Sequence, residues 1–266
     1  LVEIYNAVNF EDTVLENALA IASKNWDAGG RALLIQAAMN SELAVTRAEI
    51  IAAALKLARK KGHWRLMALG FAPLVGALTP SSELAWFSGD AVRILITAND
   101  VVAARNWLSF AKEQELRAGK KLALWPLHVL LSEDPIGIAT PEAILTWWQA
   151  RKSTSEDNAA RIRTFFSLIN SMGVTIPSEL WAIISDDANA LKNYGPRTSV
   201  RNALSQAAAA GSRGGTVVLS LIALGDRGTD PENLSAVEIS IAGLKRVGFD
   251  KEAQAIALEI AIEAGL

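Results

Sequence analysis

Near its end the chain reads EAQAIALEIAIEA, from Glu252 to Ala264. A helix advances about 100° per residue. On that wheel Ala253, Ile256, Ala257, Ile260 and Ala264 form one face, and Ala255, Leu258 and Ile262 form another. Only Glu252, Glu259 and Glu263 make a polar stripe. A helix apolar on nearly every side is stable in water only between neighbours. The fold must therefore place helices against other helices on more than one flank.

A second stretch makes the same demand. In PEAILTWWQARKS, Pro141–Ser153, Ile144, Leu145 and Trp148 share one side. Trp147 falls about 100° away, beside Ala143 and Ala150. The wheel predicts Trp148 on the main buried face and Trp147 on a second contact. By contrast, Glu11–Lys24 has one apolar face, built from Val14, Leu15, Ala18, Leu19, Ile21 and Ala22, which suits an end cap.

Helix signals follow one another along the whole chain. Thr46 with Glu49 three residues later reads as a capping box opening a helix to Gly62. Asp100 opens another, and Thr140 followed by Pro141 opens a third. Pro73 is expected to bend a helix and Pro126 to break one. About thirteen helices result, joined by short connectors, with no convincing strand. The expectation is an all-α fold of stacked antiparallel helical hairpins forming a curved α-solenoid, one domain over 1–266 with a joint near 186–199. A compact irregular helical domain is the alternative.

Two hairpins share a pattern. LITANDVVAARNWL (Leu95–Leu108) and LKRVGFDKEAQAIA (Leu244–Ala257) both read leucine, eight residues, alanine, two residues, then a large apolar residue. The alanine lies in the first turn after the bend and permits close approach of two backbones. This resembles the helix–turn–helix units of tetratricopeptide-like repeats. The full motif of that family is absent, and the sequence shows no fixed 34-residue period.

The chemistry-bearing residues are sparse. The chain has no cysteine and two histidines, which removes thiolate metal sites and a cysteine nucleophile. His128 sits in an apolar stretch and reads as a core histidine. GSRGGT, Gly211–Thr216, precedes a helix but lacks the lysine of a phosphate loop; Gly211 reads as a helix cap and Gly214–Gly215 as a tight turn. The carboxylate pairs Glu133–Asp134, Glu156–Asp157 and Asp186–Asp187 fall at helix boundaries, where acids serve the helix dipole. No catalytic set, metal site or cofactor is implied.

The net charge of −2 argues against a general nucleic-acid binder. One local exception is ARKKGHWR, where Arg59, Lys60, Lys61 and Trp64 form a candidate site for an anionic polymer. The longest apolar runs, Leu66–Leu78 and Thr216–Gly225, are shorter than the roughly 20 residues of a membrane span. The chain opens on Leu1, which reads as a mature or excised segment and fixes no compartment. The expected function is a non-catalytic interaction or assembly module, with a protein partner or a second copy contacting Leu258, Ile262 and Trp147. The alternative is a polymer-binding domain, for glycan or nucleic acid, accompanying a catalytic domain outside this segment.

Overall fold

The structure is a computed structural model. It describes residues 17–119, 122–151, 156–185 and 196–266. The proposed joint at 186–199 lies mostly outside them, as do Asp186 and Asp187. Among the described residues every regular element is helical, and the chain divides into two compact units, Leu1–Lys120 and Lys121–Leu266.

The first unit contains α1 (Ala18–Lys24), α2 (Ala28–Asn40), α3 (Ala44–Lys60), α4 (Trp64–Gly76), a 3-10 turn (Ser82–Phe87), α5 (Ser88–Thr97) and α6 (Val101–Arg117). Each helix packs on its neighbour in the chain. In addition α1 touches α3, and α2 touches α4. Gly70 makes the second of these possible: a Cβ there would lie 2.8 Å from Ile35 Cδ1. Leu34, Ile35, Ile51, Leu55, Met67, Phe71 and Phe87 are fully buried around this layer.

The second unit contains α7 (Trp125–Leu131), α8 (Pro135–Ile138), α9 (Pro141–Arg151), α10 (Glu156–Ser171), α11 (Ser178–Ser185), α12 (Thr198–Ala209), α13 (Arg213–Leu224), α14 (Leu234–Arg246) and α15 (Asp250–Glu263). Helices α12, α13 and α14 touch one another pairwise, and α15 packs on α14. Helix α10 also packs on α14 and α15, and α7 on α10 and α15. Two side chains tie these distant segments together. Lys245 Nζ donates to the Met172 carbonyl at 2.7 Å. Gln254 Nε2 donates to the carbonyls of Leu130 (2.8 Å) and Ser132 (3.0 Å). Each bond satisfies a carbonyl that a helix end leaves open.

The two hairpins singled out in the sequence turn in the same way. The Asp100 N–H donates to the Leu95 carbonyl, and the Phe249 N–H to the Leu244 carbonyl, both at 2.9 Å. Asn99 and Gly248 sit between them with φ of 59° and 80°. This is the Schellman arrangement, in which one residue in the left-handed region ends the helix. The same bond joins His63 to Ala58, Val174 to Ile169, Ser212 to Ala207 and, at the end of α15, Leu266 to Ala261. The left-handed residues are then Gly62, Asn99, Gly173, Gly211, Gly248 and Gly265. Gly62 to Asn99 is 37 residues, as is Gly211 to Gly248, while Asn99 to Gly173 is twice that interval.

Several local expectations can be set against the structure. Thr46 does not cap: α3 begins at Ala44, after Leu43, with no side-chain cap, so Thr46 lies in its first turn. Pro73 sits within α4, which continues to Gly76. Pro126 lies at the start of α7, where a missing N–H costs nothing. Gly214 and Gly215 belong to the first turn of α13 rather than to a tight turn. Asp100 and Thr140 do cap, accepting from the N–H groups of Ala103 (3.0 Å) and Ala143 (3.3 Å).

Candidate functional site

The adjacent tryptophans face an aromatic cluster inside the second unit. Trp147 is 8% exposed, with ring centroids 5.0 Å from Phe165, 5.6 Å from Trp125 and 6.2 Å from Phe166. Trp148 is half-buried and meets Phe166 from the side, at 6.5 Å. The main buried face of α9 is thus Ile144 with Trp147, the reverse of the order the wheel predicts. The arriving rings are large, and Trp147 is the position they surround. Trp147 is a core residue and presents no outer surface.

Leu258 and Ile262 are also buried, at 3% and 8% exposure. That flank of α15 offers little surface for the contact assigned to them from the wheel.

The basic cluster at the α3–α4 turn is partly answered from within. Arg59 donates to Asp90 at 3.1 Å, and its guanidinium lies 5.5 Å from the centre of the Trp64 ring. Trp26 Nε1 donates to His63 Nδ1 at 3.1 Å. Lys60 and Lys61 are exposed, and Trp64 is half-buried. The four candidates are therefore neighbours, but the arginine is already engaged. Trp86, in the 3-10 turn of the same unit, is an exposed tryptophan, at 53%.

The surface that stands out lies elsewhere, on α13. This helix is turned inside out. Thr216 and Ser220 are buried, while Val218 (56%), Leu221 (65%) and Ile222 (56%) are exposed. The three exposed residues are spaced i, i+3 and i+4, so they adjoin on one stripe. Packing explains the inward side. Helix α13 fits against α12 and α14 through small groups: a Cβ on Gly243 would lie 3.4 Å from Thr216 Cγ2, and one on Gly215 would lie 3.6 Å from Ala207 Cβ. The Thr216 hydroxyl is satisfied by the Ser212 carbonyl at 2.8 Å. The Ser220 hydroxyl is buried with no hydrogen-bond partner among the described residues, at a cost of about 1–3 kcal/mol. Nothing in the packing of the unit explains the outward side.

Between α12 and α14 runs a groove of about 220 Å³, with Leu204, Ala208, Ala242 and Gly243 on its floor and Arg201 and Arg246 on its rim. Arg201 donates to Ser235 Oγ at 2.7 Å. Glu238 precedes the groove on α14. Burial pushes its carboxyl above the ordinary value of 4.5, against the opposing pull of a Ser167 hydrogen bond and the Arg201 charge. The folded chain therefore binds this proton more tightly than the unfolded chain. Stability falls as pH rises from about 4.5 through the raised value, then levels off. Glu238→Gln is expected to be more stable than the parent at pH 7 and to lose that advantage toward pH 4, as read from urea midpoints. An advantage independent of pH contradicts this account of Glu238.

No group of three or more acidic or histidine side chains suited to a metal occurs among the described residues. No helix among them is long and apolar enough to cross a membrane. His128 is half-buried on α7 and has a partner of its own. Asp134 caps α8 through the Gly137 N–H at 2.9 Å, so that acid serves the fold. Sequence reasoning missed Val218, Leu221, Ile222, Arg201 and Arg246. The signal for the first three was the apolar run Thr216–Gly225, which reads as a buried segment. Comparison with protein-family models, curated proteins and solved structures gives no match to this chain.

Proposed function

We propose that this chain is a non-catalytic protein-interaction and assembly module that joins a second copy of itself through α13. The observation carrying this reading is the inverted helix: three large apolar side chains face water while two hydroxyls are buried. Exposed single apolar residues need no explanation, but contiguous ones mark contact sites. The outward stripe carries no charge. Two such stripes meet across a two-fold axis without repulsion, as an isologous interface requires.

The architecture supports the same reading. We take the recurring turn, spaced about 37 residues apart, to mark two-helix units of the tetratricopeptide-like kind, stacked as a curved α-solenoid within a unit. The packing of α1 through α6 on near neighbours favours this. The ties from α15 to α7 and α10 depart from strict neighbour stacking and close the second unit on itself. Arrays of this type serve as scaffolds for other chains rather than as catalysts.

Burying the three side chains on both copies contributes roughly 1–2 kcal/mol per side chain, which is comparable with the cost of association. Pairing is therefore reversible and depends on concentration. Light scattering from 1 to 100 µM is expected to show a mass rising from monomer toward dimer. Leu221→Glu is expected to remain monomeric throughout, with an unchanged circular dichroism spectrum. A monomeric parent at 100 µM overturns the assignment of α13 to a second copy.

A second reading, contact with an anionic polymer such as a glycan or nucleic acid, has one observation in its favour. Lys60 and Lys61 stand exposed beside the half-buried Trp64. Tryptophan fluorescence titrated with heparin and with single-stranded DNA tests it, and an unchanged spectrum with both ends it.

A further inference from the structure

We infer that the groove between α12 and α14 binds a short acidic segment of a partner protein. Each helix lines the groove with residues at i, i+3, i+4 and i+7, starting at Arg201 on α12 and ending at Arg246 on α14. Arg201 reaches Ser235, near the start of α14. Leu204 meets Gly243 further along, within 3.4 Å of a Cβ built there. The two helices therefore run in the same direction, and the arginines stand at opposite ends of the floor.

That floor is made of small and apolar groups. Gly243 lets the helices approach, since a Cβ there would lie 3.4 Å from both Leu204 and Thr216. No acidic side chain lines the groove. Glu238, beside it on α14, is directed to Ser167 and Arg201. Lys245 is directed away, to the Met172 carbonyl. Two exposed guanidiniums thus flank an apolar trough that no acid lines; Arg201 has Glu238 behind it and Ser235 beside it, and guanidinium is the group best matched to carboxylate.

The size of the groove decides between occupants. About 220 Å³ is below the roughly 300–1,000 Å³ of sites that enclose small molecules. Seven helical steps span about 10 Å, which is three to four residues of extended chain. An acid at each end of such a segment reaches one arginine, and the apolar residues between them lie on the floor. No aromatic ring lines the groove, so it lacks the stacking platform on which nucleic-acid strands rely.

The test uses the full chain and a pool of fluorescein-labelled heptapeptides with two acidic residues three apart around two apolar ones. A second pool carries the corresponding amides. Fluorescence anisotropy is expected to show saturable binding of the acidic pool, at least tenfold weaker binding of the amide pool, and a tenfold or greater loss in Arg201→Gln/Arg246→Gln. Both arginines are exposed, so the double variant is expected to keep its circular dichroism spectrum, with a urea midpoint lowered only by the loss of the Arg201 charge beside Glu238 and of its Ser235 bond. Ala242→Leu, which crowds the trough from an exposed lining position and leaves both charges, is expected to lose binding as well. Equal binding of the two pools, no binding up to 1 mM, or retention by the double variant overturns the inference. So does preferential binding of single-stranded DNA that the double variant loses, because it assigns the arginines to a polyanion. Light scattering on the double variant keeps this result separate from pairing through α13, which the substitutions are expected to leave intact.

Discussion

Trp147→Ala is expected to destabilise the second unit by about 3–5 kcal/mol, the range for truncating a large buried aromatic. The indole is enclosed by Trp125, Phe165 and Phe166, and these rings come from two other helices, α7 and α10. Trp148→Ala, at a half-buried site touching Phe166 alone among the rings, is expected to cost well under half as much. Trp147→Phe keeps an aromatic ring and removes an indole N–H that is buried without a partner, so its cost falls between the two. Urea unfolding followed by circular dichroism ranks the three variants. Equal losses at 147 and 148 contradict the packing described for α9.

Gly30→Ala has the second large effect, and its sign reverses the usual rule. Inside a helix, alanine is favoured over glycine by about 1 kcal/mol. Here a Cβ would overlap the carbonyl oxygen of Asn25 and lie 3.4 Å from Ala22 Cα. Both obstacles are backbone, so neither can swing aside as a side chain does. The start of α2 must then move away from α1, and the Gly30 N–H must give up the Asp27 carboxylate that caps it at 2.8 Å. The expected cost is about 1–3 kcal/mol, as for other overpacked sites. Gly76→Ala, at the end of α4 with open space around it, is expected to be neutral or slightly stabilising. Thermal midpoints of the two variants separate these outcomes. A Gly30 variant as stable as the parent contradicts the close approach of α2 to the turn before it.

What could be read in the sequence was periodicity, and what could not was rotation. The wheel for Glu252–Ala264 demanded burial on two flanks, and α15 is buried on both: Ala253, Ala257 and Ile260 on one, Leu258 and Ile262 on the other. It did not say that the second flank would be covered by the chain's own helices. The hairpins after Leu95 and Leu244 were legible because their leucine and alanine positions happen to coincide. Gly62 and Gly211 were legible as helix ends, but their kinship with those two hairpins, and the turn at Gly173, were not. The left-handed site accepts asparagine as well as glycine, and facing core positions exchange volume. Ala58, Leu95, Ile169, Ala207, Leu244 and Ala261 are the residues that accept the closing bond in these turns, and they range from small to large. A core fixes the summed volume of facing side chains more tightly than the size of any one.

The α13 stripe escaped the sequence for a different reason. By hydropathy Leu221 and Ile222 belong inside and Thr216 and Ser220 outside. The helix is rotated the other way because α12 and α14 approach closely enough to admit only small groups between them. Arg201 and Arg246 belong to segments more than forty residues apart and share a groove only after α12 and α14 lie side by side. No spacing rule within one segment joins them.

Pairing through α13 is tested most directly by cross-linking from a single site. The chain has no cysteine, so Leu221→Cys introduces a lone thiol in the middle of the stripe, and Lys56→Cys introduces one on the exposed side of α3 as a control. On mild oxidation at 50 µM, the account predicts a disulfide-linked dimer from the first variant and almost none from the second. Equal yields from the two sites, or no dimer from the stripe, would contradict it.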